Sequence, residues 1–217
     1  MADTWGTAQS ELEKLLDDAS FESGGSNNSY LMTWANRVIK DIHLEIDIRD
    51  HLSTDTIEIT GGSYEYNLPD YLPDYWKMSN RFTRFRVDDS FIPIVGVDTL
   101  NDYDPDHDQT TSGDPTCVSI EGNYLHIYPL VTCTGTLENY FRIPNDLATT
   151  ASQPDLPWVY YVTDLIVAGV AGRYGFPWLN EYEQAAYWNK RYKELMEKYR
   201  LHVDKSNSKQ TVEGKYY

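Results

Sequence analysis

At 217 residues the chain is long enough for one domain, or a domain with an appendage, to bury roughly 70 to 75% of its unfolded surface, and its 41% apolar and 14% aromatic content argues against wholesale disorder. The net charge of -16 is uneven: residues 1–80 carry 5 basic and 15 acidic side chains, residues 81–157 carry 4 and 12, and residues 158–217 carry 9 and 7. That distribution disfavours tight nucleic-acid binding, which needs clustered Lys and Arg to release counterions, and leaves open passive contact with DNA by repulsion along a channel.

Thr4 to Ala19 predicts a short acidic helix anchored by Trp5, Leu12, Leu15 and Leu16, followed by a Ser-, Gly- and Asn-rich loop from Phe21 to Ser29. A helix over about 29–50 then carries Leu31, Trp34, Ala35, Val38, Ile39, Ile42 and Ile46 at spacings of three and four, so one face is expected in a core. From Thr54 the period becomes two. Thr56 to Thr60 and Ser63 to Asn67, joined by Gly61-Gly62, read as a hairpin. The prolines of Leu68 to Tyr75 allow only a turn or one helical turn. Arg81 to Val87 alternates, Phe91 to Val97 reads as a short edge containing Pro93, and Asn101 to Pro115 as a long acidic loop.

Three strands follow: Thr116 to Ile120, Asn123 to Tyr128 and Thr136 to Ile143. In the last, strict alternation puts Leu137, Phe141 and Ile143 on one face and Thr136, Glu138, Tyr140 and Arg142 on the other. Pro157 opens a nearly all-apolar helix over about 157–174, whose Ala168, Gly169, Ala171 and Gly172 admit a close neighbour and which Gly175 and Pro177 are expected to end. The last helix, about 178–203, shows a stripe of Tyr182, Ala185, Trp188, Asn189, Tyr192, Leu195, Met196, Tyr199 and Val203. Residues 204–217 turn polar, then close on Thr211, Val212, Tyr216 and Tyr217, which suits a segment that orders on a partner, for instance by adding a strand to an exposed edge.

The expected fold class is therefore α+β, a helical bundle of three main helices with an inserted β-hairpin/β-sheet region over about 54–143. Residues 1–203 form a single domain, and 204–217 an extended C-terminal tail.

Chemistry-bearing patterns are sparse. Asp102 to Asp108 places carboxylates at every second position, as in a calcium loop, but His107 stands where the glycine belongs and Gly113 where the bidentate glutamate belongs. His43, His51, His107, His126 and His202 form no pair at metal spacing, so no metal is expected. Cys117 and Cys133 read as two thiols in or beside strands, with a cross-strand bridge as the alternative. Arg81, Arg84 and Arg86, with Phe82 and Phe85 among them, suit a charged strand pairing with acidic loops. No nucleophile elbow, phosphate loop or paired Cys and His occurs, so neither enzymatic activity nor a cofactor is expected. The longest apolar run, Leu165 to Gly172, falls far short of the roughly 20 residues of a membrane span, and no secretory signal opens the chain; a soluble protein made in a cytoplasm is expected. The 18 tyrosines point to a large wet contact area with other chains.

An ordered set of motifs carries a family resemblance: Leu31-Met32-Thr33-Trp34-Ala35-Asn36 on the early helix, Leu125 to Pro129 as a Leu-x-Ile-Tyr-Pro strand, Tyr140 to Pro144 as a Tyr-x-Arg-x-Pro strand, and Leu156-Pro157 leading into two helices. In this order the chain, over about 31–50 and 124–203, resembles the head-to-tail adaptor (connector) proteins of tailed bacteriophages. The resemblance implies a structural virion protein: a ring of twelve copies at the head-tail junction, between the portal protein and a tail nozzle or tube protein, with DNA only passing through and no membrane. It implies portal binding by the tail residues Val212, Tyr216 and Tyr217. Subunit packing would fall on Trp34, Trp158, Trp188 and Tyr192. Two other readings remain: a virion-associated or extracellular carbohydrate-binding module, which would favour Trp on a sheet face, and a tail terminator or tube ring, which would need long β-hairpins.

Overall fold

The first element is an amphipathic helix, α1 (Trp5–Leu16), that buries Trp5, Ala8, Leu12 and Leu16. The computed structural model describes residues 4–22, 25–60, 63–79, 82–103, 105, 114–157 and 159–213, with the backbone alone for 208–213. Helix α2 (Asn28–Glu45) buries Leu31, Trp34, Ala35, Val38, Ile39, Ile42 and His43, and a 3₁₀ turn (Arg49–His51) follows it. Strands β1 (Leu52–Ile59) and β2 (Glu65–Asn67), the single turn α3 (Leu68–Tyr71), β3 (Tyr75–Lys77), β4 (Arg84–Val87), β5 (Ser90–Ile92), β6 (Ile94–Val95), α4 (Val97–Tyr103), β7 (Cys117–Glu121), β8 (Tyr124–Tyr128) and β9 (Cys133–Arg142) come next. The chain then returns to helix: α5 (Val162–Val170), a π-helical turn (Ala171–Gly175), α6 (Phe176–Trp178) and α7 (Tyr182–Glu213).

Two compact units result, Met1–Asp50 with Pro144–Tyr217, and His51–Ile143. In the helical unit α5 is buried nearly all round, and α1, α2 and α7 each pack on it. The small residues of this stretch make that possible. A Cβ on Gly169 would lie 2.7 Å from Val38 Cγ1 and 2.9 Å from Tyr192 Cε2, and one on Gly172 would lie 2.7 Å from the backbone nitrogen of Asn189.

The β unit holds two sheets. Among the described residues one, with β1-β9-β4-β5 in order and β3 also paired to β9, is antiparallel; the other runs β2-β8-β7-β6, with β6 and β7 parallel and the other pairs antiparallel. Ile57, Phe85, Val87 and Leu137 from the first sheet share one core with Tyr66, Val118, Leu125 and Ile127 from the second. Gly135 lies under Phe85, whose Cζ would be 2.2 Å from any Cβ placed there, so the ring takes the space a side chain would occupy.

These observations correct the expected fold class. The architecture is α+β, but the three-helix bundle with a hairpin insertion and an extended tail gives way to further helices and two multi-stranded sheets. Thr56 to Thr60 and Ser63 to Asn67 do not form a hairpin, because β1 takes the ten-residue β9 as its partner while β2 pairs with β8 in the other sheet; residues 61–62 lie outside the described residues. Pro93, which cannot donate, stands between β5 in one sheet and β6 in the other. Strict alternation in β9 fails at Asn139, whose φ of 58° inserts a bulge opposite Ser53/Thr54 and turns Tyr140 to the buried face of Leu137. The helical run passes Pro177 by one residue: the π turn leads straight into α6, which ends at Trp178, and Asn180 follows at a φ of 61°. Finally α7 does not stop at Val203. Its backbone stays helical to Glu213, so 204–213 is not an extended tail.

Candidate interaction surfaces

Trp34 sits at the middle of a ring cluster on the helical unit, with centroids 5.7 Å from Phe21, 6.0 Å from Tyr30, 5.8 Å from Tyr174 and 5.8 Å from Trp178. Phe21 and Trp34 are buried, while Tyr30 (43% exposed) and Trp178 (52% exposed), 5.4 Å apart, carry the cluster to the surface. The fold thus supports a rigid aromatic patch from beneath, the arrangement that lowers the entropy lost on contact with another chain.

Tyr192 and Trp188 stand on α7. Tyr192 is buried under the Arg173 guanidinium, 4.6 Å from the ring centroid, and Arg173 also pairs with Asp41 on α2. Burial pushes the Tyr192 hydroxyl's pKa up, and the Arg173 cation opposes this more weakly. Trp188 is half-buried and meets the exposed Tyr187 edge-on at 5.6 Å. The carbonyl of Gly172 in the π turn accepts a hydrogen bond from Asn189 Nδ2 at 2.9 Å, which gives the polar member of the expected stripe its partner. Tyr182, expected in that stripe, is exposed instead. Trp158, Tyr216 and Tyr217 lie outside the described residues, as does the side chain of Val212.

The end of α7 is tied down further than its composition suggests. Tyr199 donates to the Pro157 carbonyl at 3.2 Å, and two turns on Asn207, buried, donates through Nδ2 to the Asp47 carbonyl at 3.0 Å. The signal for Asn207 was the four-residue step from Val203, which continues the buried stripe, hidden by the polar neighbours on both sides.

The outer face of α7 exposes Tyr187 (63%) and Leu201 (53%), fourteen residues apart and so about 21 Å along one side of the helix. Exposed Lys190, Lys193 and Lys198 surround them, none with an ion pair among the described residues. Ser10, Glu13, Lys14, Asp17 and Glu22 line a groove of about 580 Å³ beside α1. Glu13 accepts from Gln9 and Asn28 at 2.9 and 2.8 Å, and Asp18 accepts from the Ser20 amide; bonds from Ser20 hold the Asp18 carboxyl below its ordinary range.

In the β unit, Arg86 pairs with Glu138 on the adjacent strand at 3.3 Å and the Arg84 guanidinium lies 5.3 Å from the Phe91 centroid, so both are engaged within the unit; Arg81 is outside the described residues. A cleft of about 430 Å³ lies between Met78, Thr83, Ile94, Val97, Ser119 and Glu121. Cys117 and Cys133 are both free, in different sheets, and burial raises both thiol pKa values. Of the acidic loop expected over 101–115, Asn101 to Tyr103 close α4 instead, and positions 104 and 106–113 are outside the described residues; among the described ones no cluster of His, Cys, Asp or Glu has the arrangement of a metal site, and no helix is long and apolar enough to cross a membrane.

A family model described as SU10 adaptor protein matches residues 3–213, nearly the whole sequence. The chain belongs to the SU10 adaptor protein family. This is a family of phage structural proteins, components of the virion that associate with other virion proteins, in agreement with the adaptor resemblance carried by the motifs from Leu31 to Pro157. No curated protein matches the sequence.

Proposed function

We propose that this adaptor forms a ring of twelve copies at the head-tail junction, between the portal protein at the capsid vertex and the tail nozzle or tube protein, and lines the conduit through which DNA leaves. The match to the adaptor family along 3–213 carries this reading. Charge supports it: twelve copies of a chain at -16 place on the order of -190 around the conduit, screened beyond about 8 to 10 Å, so passing DNA is repelled from the wall. The role is non-enzymatic. Residues 1–203 act as the adaptor domain and 204–217 as the portal-docking extension, with Val212, Tyr216 and Tyr217 as anchors and Asn207 fixing its first turn to Asp47. Subunit packing draws on Trp34, Trp158, Trp188 and Tyr192. Of these, Trp34 holds Tyr30 and Trp178 in place at the surface and Trp188 holds Tyr187.

A chain ending after Asn207 keeps every described side-chain contact of the helical unit. It is expected to retain its circular dichroism spectrum and to lose capture of purified portal. Capture at the full-length level would remove the docking role from 208–217. Electron micrographs of full-length protein mixed with portal are expected to show stacked rings; a monomer bound to nothing would overturn the whole reading.

A further inference from the structure

We propose that neighbouring copies in the collar join head to tail, the outer face of α7 on one copy docking against the acidic groove beside α1 on the next. This rests on the ring reading above. The docking face has two parts: an apolar pair, Tyr187 and Leu201, exposed on one side of α7, and three lysines around it, Lys190, Lys193 and Lys198, that have no intramolecular ion pair among the described residues. Exposed apolar side chains rimmed by unpaired charge of one sign are the anatomy of an interface.

The occupant follows from charge and shape. Residues 11–22 hold five carboxylates, Glu11, Glu13, Asp17, Asp18 and Glu22, against one cation, Lys14, and they border a concave surface of about 580 Å³. The carboxylates of Asp17 and Glu22 at its margin have no hydrogen bond or ion pair among the described residues, so their charge is available to a partner. From Lys190 to Lys205 the balance is reversed, with six cations, Lys190, Arg191, Lys193, Lys198, Arg200 and Lys205, against Glu194, Glu197 and Asp204. Both faces belong to the same helical unit, since α1 and α7 each pack on α5. Each copy therefore offers both halves of the contact, a heterologous arrangement that closes into a ring when the rotation between copies divides a full turn.

Two measurements on the full-length protein, alone and assembled on portal, test this. Coupling with a zero-length carbodiimide is expected to join Lys190, Lys193 or Lys198 of one copy to Asp17 or Glu22 of another, with isotope-mixed protein marking the links as intermolecular. Sedimentation then follows two variants, Asp17→Lys with Glu22→Lys, and Lys190→Glu with Lys193→Glu, each checked for wild-type circular dichroism. Each is expected to weaken assembly on the order of tenfold or more, and mixing the two to restore it, because the altered faces again oppose unlike charges. Assembly of wild-type protein that neither variant affects, or cross-links confined to other residues, overturns the proposed contact and leaves the ring intact. A wild-type chain that stays monomeric alone and on portal overturns both.

Discussion

Tyr192 and Tyr199 lie seven residues apart on the buried side of α7, yet their hydroxyls differ in kind. Tyr199 donates to Pro157 O, whereas the Tyr192 hydroxyl is buried with no hydrogen-bond partner among the described residues, and its ring serves Arg173. Deleting a bonded hydroxyl costs the bond and strands its acceptor; deleting an unbonded one removes only a desolvation penalty. Tyr199→Phe is therefore expected to lose about 1 kcal/mol in urea unfolding, and Tyr192→Phe to change stability by less than about 0.5 kcal/mol or to raise it. In the β unit, burial pushes the Tyr75 hydroxyl from 10.0 up to about 12, while its proton is held toward Gly122 O at 3.1 Å. The folded state keeps this proton where the unfolded chain has lost it. The contribution, on the order of 2 kcal/mol, is complete below pH 10 and disappears as pH rises toward about 12. Unfolding monitored by tyrosinate absorbance should show this alkaline loss reduced in Tyr75→Phe, and an unchanged profile would refute the assignment.

Among the elements, long helices and the β7–β8 hairpin around Gly122 were legible, whereas distant strand partners, the short helix α4 and the start of α5, at Val162 rather than Pro157, were not. The seven apolar positions named from spacing alone, six on α2 and Ile46 at its C-terminal cap, are all buried, and the small residues of the α5 region do face a close neighbour. Local periodicity suffices there, since a helix closes its own hydrogen bonds. A strand's partner is set by the rest of the sheet, so the Gly61-Gly62 hairpin signal yielded to β9, far along the chain. The bulge at Asn139 was invisible to strict alternation, although Asn is the non-glycine residue best suited to a φ of 58°. Asn139→Gly should be tolerated, while Asn139→Val should cost about 1 to 2 kcal/mol in thermal unfolding. Gly172→Ala pushes a methyl against the Asn189 backbone, which cannot retreat as a side chain can, and should cost about 1 to 3 kcal/mol. The candidate surfaces were harder to read. Aromatic content pointed to contact with other chains, but Tyr30, Tyr187 and Leu201 stand out only once the buried sides of α2 and α7 are fixed.

For the molecule as a whole, charge divides with the two units. Residues 51–143 hold 15 acidic and 5 basic side chains, and the remainder 19 and 13, so the helical unit is the one with cations to spend on contacts. The β unit begins and ends at one place, because Leu52 pairs with Phe141 and Ser53 with Tyr140. Joining Asp50 to Pro144 through a short Gly-Ser linker should leave a helical protein with a cooperative melt, and residues 51–143 alone should give a β-type dichroism spectrum. Loss of all structure in both pieces would show that neither folds without the other. Adjacent ends also make the inserted sheets an exchangeable cassette: a larger, smaller or unrelated β module of equal end spacing can be spliced at the same junction while the helices keep their packing. A phage lineage can thereby remodel one half of this protein at little cost to the other.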